Sequence, residues 1–344
     1  MGLRIVCAFL LSLGSLASAE REHDRHNDAA PYTLRLETIA LERSDGEKRP
    51  LAIEEVAAPG AGRTILDAAG FDQDYQIGGR FVAEFRLQQG WELEFSGYSV
   101  VDSDSEKRAS SNGALDTPFA AGPAIGDNLF LPAGFQGAFD FQNVDLIVTR
   151  LDSRMYTLEA DFLHRWRTRD GCFSGALGAG ARYLDLDEDL KYTVDDTIAV
   201  ATGDDRFVLD NDLHNRMIGA QAVAHLSCRV SRSFYLTAEA RLGAMLDWTR
   251  RESSLVRDDG RVGIAATGDA FGFAMLVELT AGARWQVSPR VDIVAGYRLL
   301  DVEGASLATE NLQGNLSNPD EYRSVRDGGD VYWHGPFVGV EIRF

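Results

Sequence analysis

The sequence predicts an all-β fold: a transmembrane, antiparallel, up-and-down β-barrel of about ten strands, within a range of about 8–12. Three observations predict it. The stretch Phe271 to Val287 alternates strictly: Phe271, Phe273, Met275, Val277, Leu279, Ala281, Ala283, Trp285 and Val287 share one face, and Glu278, Thr280, Gly282, Arg284 and Gln286 share the other. Such period-two runs are strands, and this one is far longer than the roughly 5–6 residues usual in globular sheets. Second, the apolar face ends in aromatics while the other carries opposite charges, the pattern of a wall between lipid and lumen. Third, gaps between strands alternate long and short, which segregates loops by side and fixes an even strand count.

The first 19 residues read as a Sec-type signal peptide: Arg4, an apolar run from Ile5 to Leu16, and an Ala17-Ser18-Ala19 cleavage site. Residues 20–31 are polar and are expected to form a periplasmic tail, leaving 32–344 as the barrel domain. No apolar run is long enough for a membrane helix, so strands are the remaining way to span.

In chain order the strands are expected near 32–43, 76–87, 91–101, 144–167, 173–192, 211–230, 233–250, 271–288, 291–303 and 336–344. The first is the least regular, since Thr33 to Arg43 fits either face poorly. Short gaps at Gln88-Gln89-Gly90, Thr168 to Cys172, Ser231-Arg232 and Pro289-Arg290 mark periplasmic turns. Long gaps near 44–75, 102–143, 193–210, 251–270 and 304–335 mark outer loops. The Gly- and Pro-rich 102–143 segment is a candidate to fold inward as a constriction or plug. The last strand places Val338, Val340, Ile342 and Phe344 outward, and a terminal Phe is what outer-membrane barrels show to the barrel-assembly machinery.

The expected lumen face carries Glu37, Arg80, Glu84, Arg86, Glu159, Arg182, Glu239, Arg241, Glu278, Arg284, Arg298, Glu341 and Arg343. Two readings are open. These charges line a water-filled path, or they pair and fill the barrel, as side chains already do near eight strands. Their near balance argues against strong ion selectivity.

The net charge of −19, with 53 acidic against 34 basic residues, speaks against nucleic acid as a partner. Acidic runs at Asp185 to Asp189, Asp195-Asp196, Asp204-Asp205 and Asp210 to Asp212 have oxygen ligands that suit calcium. They lack EF-hand spacing, and solvated loop charge accounts for them. No zinc motif is present, and no cofactor is expected. His225-x-Ser227 has the spacing of the outer-membrane phospholipase dyad, and Asp210-x-Asp212-x-His214 resembles acid and His groups of omptin-type barrel proteases. Neither has an identifiable partner set, and the chain is read as a non-enzyme. Cys172 and Cys228 fall at the periplasmic rim of neighbouring strands and are candidates for a disulfide, although strict alternation sends them to opposite faces.

Gly78-Gly79-Arg80-Phe81, followed by Gln88 to Tyr98 (QQGWELEFSGY), resembles the hairpin of the planctomycete β-barrel porin family numbered seven. Leu151 to Glu159 and Gly180 to Glu188 are similar to two further blocks of that family, and the region near Arg182 to a block of Legionella-type pore-forming outer-membrane proteins. The resemblance covers about 76–190. It implies a barrel in the outer membrane of a Gram-negative-type bacterium, in contact with its lipid. The expected activity is porin-like passage of small solutes or ions, and the alternative is a closed structural or surface-interaction barrel using its long outer loops.

Overall fold

The computed structural model describes residues 31–45, 50–55, 62–68, 73–117, 144–195, 206–312 and 319–344. The expected signal peptide and nearly all of the tail lie outside these. The described strands are β1 (Tyr32–Asp45), β2 (Pro50–Glu55), β3 (Gly62–Asp67), β4 (Gln73–Arg86), β5 (Trp91–Asp116) and β6 (Val144–Arg167), followed by β7 (Phe173–Asp195), β8 (Arg206–Arg229), β9 (Phe234–Arg257), β10 (Val262–Gln286), β11 (Val291–Ala305) and β12 (Gly329–Arg343). A short helix, α1 (Pro319–Arg323), precedes β12.

Ten of these strands form a closed antiparallel ring. β1 pairs with β4 on one side and with β12 on the other, so Leu36 lies between Phe81 and Val340. The irregular first strand is therefore the closing strand. β2 and β3 make a hairpin within the first outer loop and join the wall where Ile53 meets Asp116.

The outer face is apolar over a band bounded by two aromatic girdles, as lipid contact requires. Tyr156, Trp248, Phe271, Tyr297 and Tyr332 mark the outer girdle; Tyr32, Phe85, Trp91, Phe162, Phe234, Trp285 and Phe344 mark the periplasmic one. Leu158, Leu236, Phe273 and Val338 lie between them, each about half exposed because lipid is their partner. None of the described helices is long and apolar enough to cross a membrane.

Several strands run further than their apolar pattern. β9 reaches Arg257 and β10 begins at Val262, so the loop expected at 251–270 shrinks to the turn 258–261. β8 starts at Arg206 and β5 continues to Asp116. The cause is solvent: above the outer girdle the wall leaves the membrane, and its outward positions become Arg250, Glu252, Asp210 and Asp212. Backbone pairing needs no apolar face there, so the ladder continues while the hydrophobic alternation stops. Of the segment expected to fold inward, 102–116 belongs to β5, and 118–143 lies outside the described residues. Among the described residues, the loop after β11 is the segment that folds inward.

Candidate functional site: the barrel interior and its plug

Strand alternation sends all of the expected lumen residues inward, and most of them pair with one another. Register supplies the first pairs: Glu37 stands opposite Arg80, Glu159 opposite Arg182, and Arg241 opposite Glu278. Side chains then bridge across the lumen. Arg182 donates to Glu278 at 2.7 Å and to the Tyr98 hydroxyl at 3.0 Å. Arg298 reaches Glu278 at 2.8 Å and Glu37 at 3.3 Å. Arg241 meets Glu94 at 2.8 Å, Glu159 at 2.9 Å and Glu239 at 3.1 Å. Arg35 ties Glu239 to Glu37, at 3.0 and 3.2 Å. The guanidiniums of Arg182, Arg241 and Arg298 are at most 1% exposed. Tyr98 packs its ring beneath Arg182 and Arg298, 5.8 and 5.2 Å from the centroid. These residues form a buried charged layer across the barrel.

Below it, toward the periplasm, Glu84, Arg86, Arg284, Glu341 and Arg343 line a cavity of about 150 Å³ with Arg35, Glu92 and Arg165. Here carboxylates of Glu84, Glu92 and Glu94 lie within 4.8 Å of one another, and guanidiniums of Arg165 and Arg241 hold Glu92 and Glu94 at 2.5 and 2.8 Å. Above the charged layer sits an apolar one. Ile39, Leu41, Val100, Met155, Leu184, Leu186, Met217, Met245, Leu276, Leu300, Val302 and Trp333 fill the section.

Higher still, Ser306 to Leu312 turn into the barrel mouth. The wall presents polar groups that match this backbone: Asn215 donates to Ser306 O at 2.9 Å, Asn211 to Ala308 O at 2.9 Å, and Glu188 accepts from Ala308 N at 2.7 Å. Arg251 donates to Asn311 O and, at 2.9 Å, to Ser324 O, and its guanidinium lies 5.2 Å from the ring centre of Tyr322 on α1. Arg43 pairs with Glu188 from across the barrel. Ala308, Leu312 and Tyr322 then join Leu51, Ile147, Tyr192, Phe207, Leu213, Leu255 and Ile264 in an outer apolar cluster. The plug is packed as a core element.

Arg35, Arg43, Asn215 and Arg251 were not singled out from the sequence, and Glu188 and Asn211 entered only as members of the acidic runs. For Arg251 the signal lay in continuing the β9 alternation past Trp248 through Thr249, Arg251 and Ser253; for Arg35 it lay in Leu34 and Leu36 flanking an inward pair.

The two fragments with catalytic spacing are not assembled. Ser227 Oγ and His225 Nε2 are each buried without a hydrogen-bond partner, so no bond joins nucleophile to base. Asp210, Asp212 and His214 point away from the lumen, where His214 Nδ1 meets Asp187 at 2.7 Å. Cys172 and Cys228 are free thiols. Cys172 lies in the turn before β7, and Cys228 pairs in register with Phe173.

On this outer wall, above the membrane, carboxylates of Asp189, Asp210 and Asp212 lie within 4.8 Å, with Lys191 at 3.0 Å from Asp189 and 3.7 Å from Asp210. Partial burial, and then the Asp189 carboxylate beside it, push Asp210 up to about 7. A raised folded value means that the folded state holds a proton which the unfolded chain releases near pH 4. The stabilisation is therefore complete below about pH 4 and is lost as pH rises through about 7. Asp210→Asn should flatten this dependence, so that urea midpoints at pH 5 and pH 8 differ less than in the wild type. An unchanged difference would contradict the assignment.

Comparison of the sequence with protein-family models gives no match, and comparison with curated proteins gives none either. Among solved structures, the chain is similar to the outer membrane protease OmpT from Escherichia coli, at 11% identity and a TM-score of 0.48, covering 94% of this chain and 99% of that one. It is also similar to the Ralstonia pickettii toluene transporter TbuX, at 12% identity and a TM-score of 0.31, covering 90% and 89%. A major outer membrane protein from Thermus thermophilus aligns at 12% identity and a TM-score of 0.30, covering 91% and 99%. These scores lie below 0.5, so the architecture is read from this chain's own register and surface. By its closed ring, lipid-facing band and paired girdles, the chain is a ten-stranded outer-membrane β-barrel.

Proposed function

We propose that the protein is a sealed outer-membrane barrel whose working surface is its outer rim. The observation that carries this reading is the filled interior: a charged layer, an apolar layer and a packed plug lie in series between periplasm and exterior. The inward arginines and glutamates then act as a structural core, and the extended walls of β6 to β9, with the β2–β3 hairpin, form the surface presented to the outside. Outer-membrane lipid contacts the apolar band, and β12, with Phe344 directly after it, is the strand offered to the barrel-assembly machinery.

A second reading, the porin-like passage implied by the family resemblance, draws on two observations. A periplasmic cavity already enters the barrel, and the plug is a loop rather than part of the wall. The readings separate on a plug deletion, with 306–328 replaced by a short turn. In liposome-swelling assays with small sugars, the sealed barrel stays impermeable because two layers remain. Swelling by the deletion variant alone would instead make the plug a gate.

A further inference from the structure

Among the interior carboxylates, Asp247 on β9 is differently placed. Glu37, Glu94, Glu159, Glu239 and Glu278 each face a guanidinium. Asp247 is 1% exposed, yet no described cation pairs with it. Its Oδ2 accepts from Thr249 at 3.1 Å, and its Oδ1 is buried with no donor. The positions facing it on neighbouring strands are Met217 and Gly272, which are uncharged. The charge that bears on it is another carboxylate, Asp327, in the exposed stretch between α1 and β12.

The Asp327 carboxylate lies over Gly272. This residue is the register partner of Asp247, and Asp327 Oδ2 lies 3.3 Å from where a Cβ on Gly272 would stand. Thr249 Oγ1 adds a hydroxyl and is 3.1 Å from Ser306 Oγ at the start of the plug. Of the outer segments outside the described residues, 118–143, 196–205 and 313–318 contain neither lysine nor arginine, while 46–49 carries Lys48 and Arg49. Burying a carboxylate whose charged neighbour is a second carboxylate is strongly unfavourable without a compensating cation.

We propose that a divalent cation of the calcium class binds between Asp247 and Asp327 and pins the base of the plug to the barrel wall. The donors are hard oxygens, one acid comes from the wall and one from the plug, and the exposed side of Asp327 gives entry from outside. The cation neutralises the pair and links two parts of the chain that otherwise repel.

The test is hydrogen–deuterium exchange of residues 319–328 in the full-length refolded protein, with calcium at about 5 mM or with chelator. For a site of Kd near 1 mM, calcium should slow plug exchange about sixfold. Magnesium, which sheds its water reluctantly, should do less. The response should vanish in Asp247→Asn and in Asp327→Asn; the latter, an exposed change, keeps the test open if the buried variant fails to fold. With chelator present, Asp247→Asn should exchange more slowly than the wild type because repulsion is removed. Calcium-independent exchange in the wild type would overturn the proposal, as would a calcium response that survives in either folded variant. The first result would leave a shared proton as the means of neutralising the pair.

Discussion

Replacing Arg241 with alanine should lower the stability of the barrel by about 3–5 kcal/mol, the range found when one partner of a buried ion pair is removed. Arg241 holds Glu94, Glu159 and Glu239 at once, at 2.8, 2.9 and 3.1 Å, and Glu94 and Glu159 are cut off from bulk water. Its loss strands Glu94, whose described guanidinium partner is Arg241 alone, and leaves Glu159 with Arg182 at 3.7 Å, while Glu239 keeps Arg35. Arg241→Lys should recover little, because a single ammonium cannot replace three directed contacts. Urea unfolding, followed by the heat-dependent gel mobility of the folded barrel, measures the loss. Arg284→Ala is the control, since Arg284 sits at the cavity edge with its nearest carboxylates at 3.5 and 3.6 Å. A water-filled lumen would make the two variants equal and mild.

Gly268→Val should release the outer part of the plug while leaving the ring intact. Gly268 faces inward on β10, and a Cβ there would stand 1.8 Å from the Arg323 carbonyl oxygen, a backbone atom at the end of α1. The helix must lift away, which unseats the buried Tyr322 ring and the Arg251 bond to Ser324 O. Losing that charged hydrogen bond alone is worth about 1.5 kcal/mol, which corresponds to exchange of residues 319–326 about tenfold faster. Exchange in β9 within the membrane band should not change. A plug that merely rests on the rim would tolerate the valine.

Much of the ring was legible in the chain, because lipid imposes a single-sided apolar pattern on every strand it touches. Phe271 to Trp285 and Phe234 to Trp248 could be read residue by residue, and the inward Arg and Glu followed from the same alternation. Legibility ended where lipid ended. From Thr249 to Ser254 both faces of β9 are polar, so Arg250 to Arg257 looked like loop although the ladder continues through them. The first strand was hard to read for a related reason: Ile39 and Leu41 are apolar inward residues of the inner layer, which cancels the contrast with Leu34 and Leu36. The plug gave no periodic signal at all. Ser306 to Leu312 is held through its backbone by Asn211, Asn215 and Arg251, residues 60 or more positions away, and no local pattern encodes such contacts. Which interior charges pair with each other depends on register across the whole ring, which no single strand reveals.

The most direct measurement is single-channel conductance of the refolded wild-type protein in a planar bilayer, with folding verified by heat-dependent mobility. A sealed interior predicts that the folded barrel inserts and stays silent at every salt concentration. Discrete current steps that scale with salt would contradict it and return Arg182, Arg241 and Arg298 to the wall of an open path.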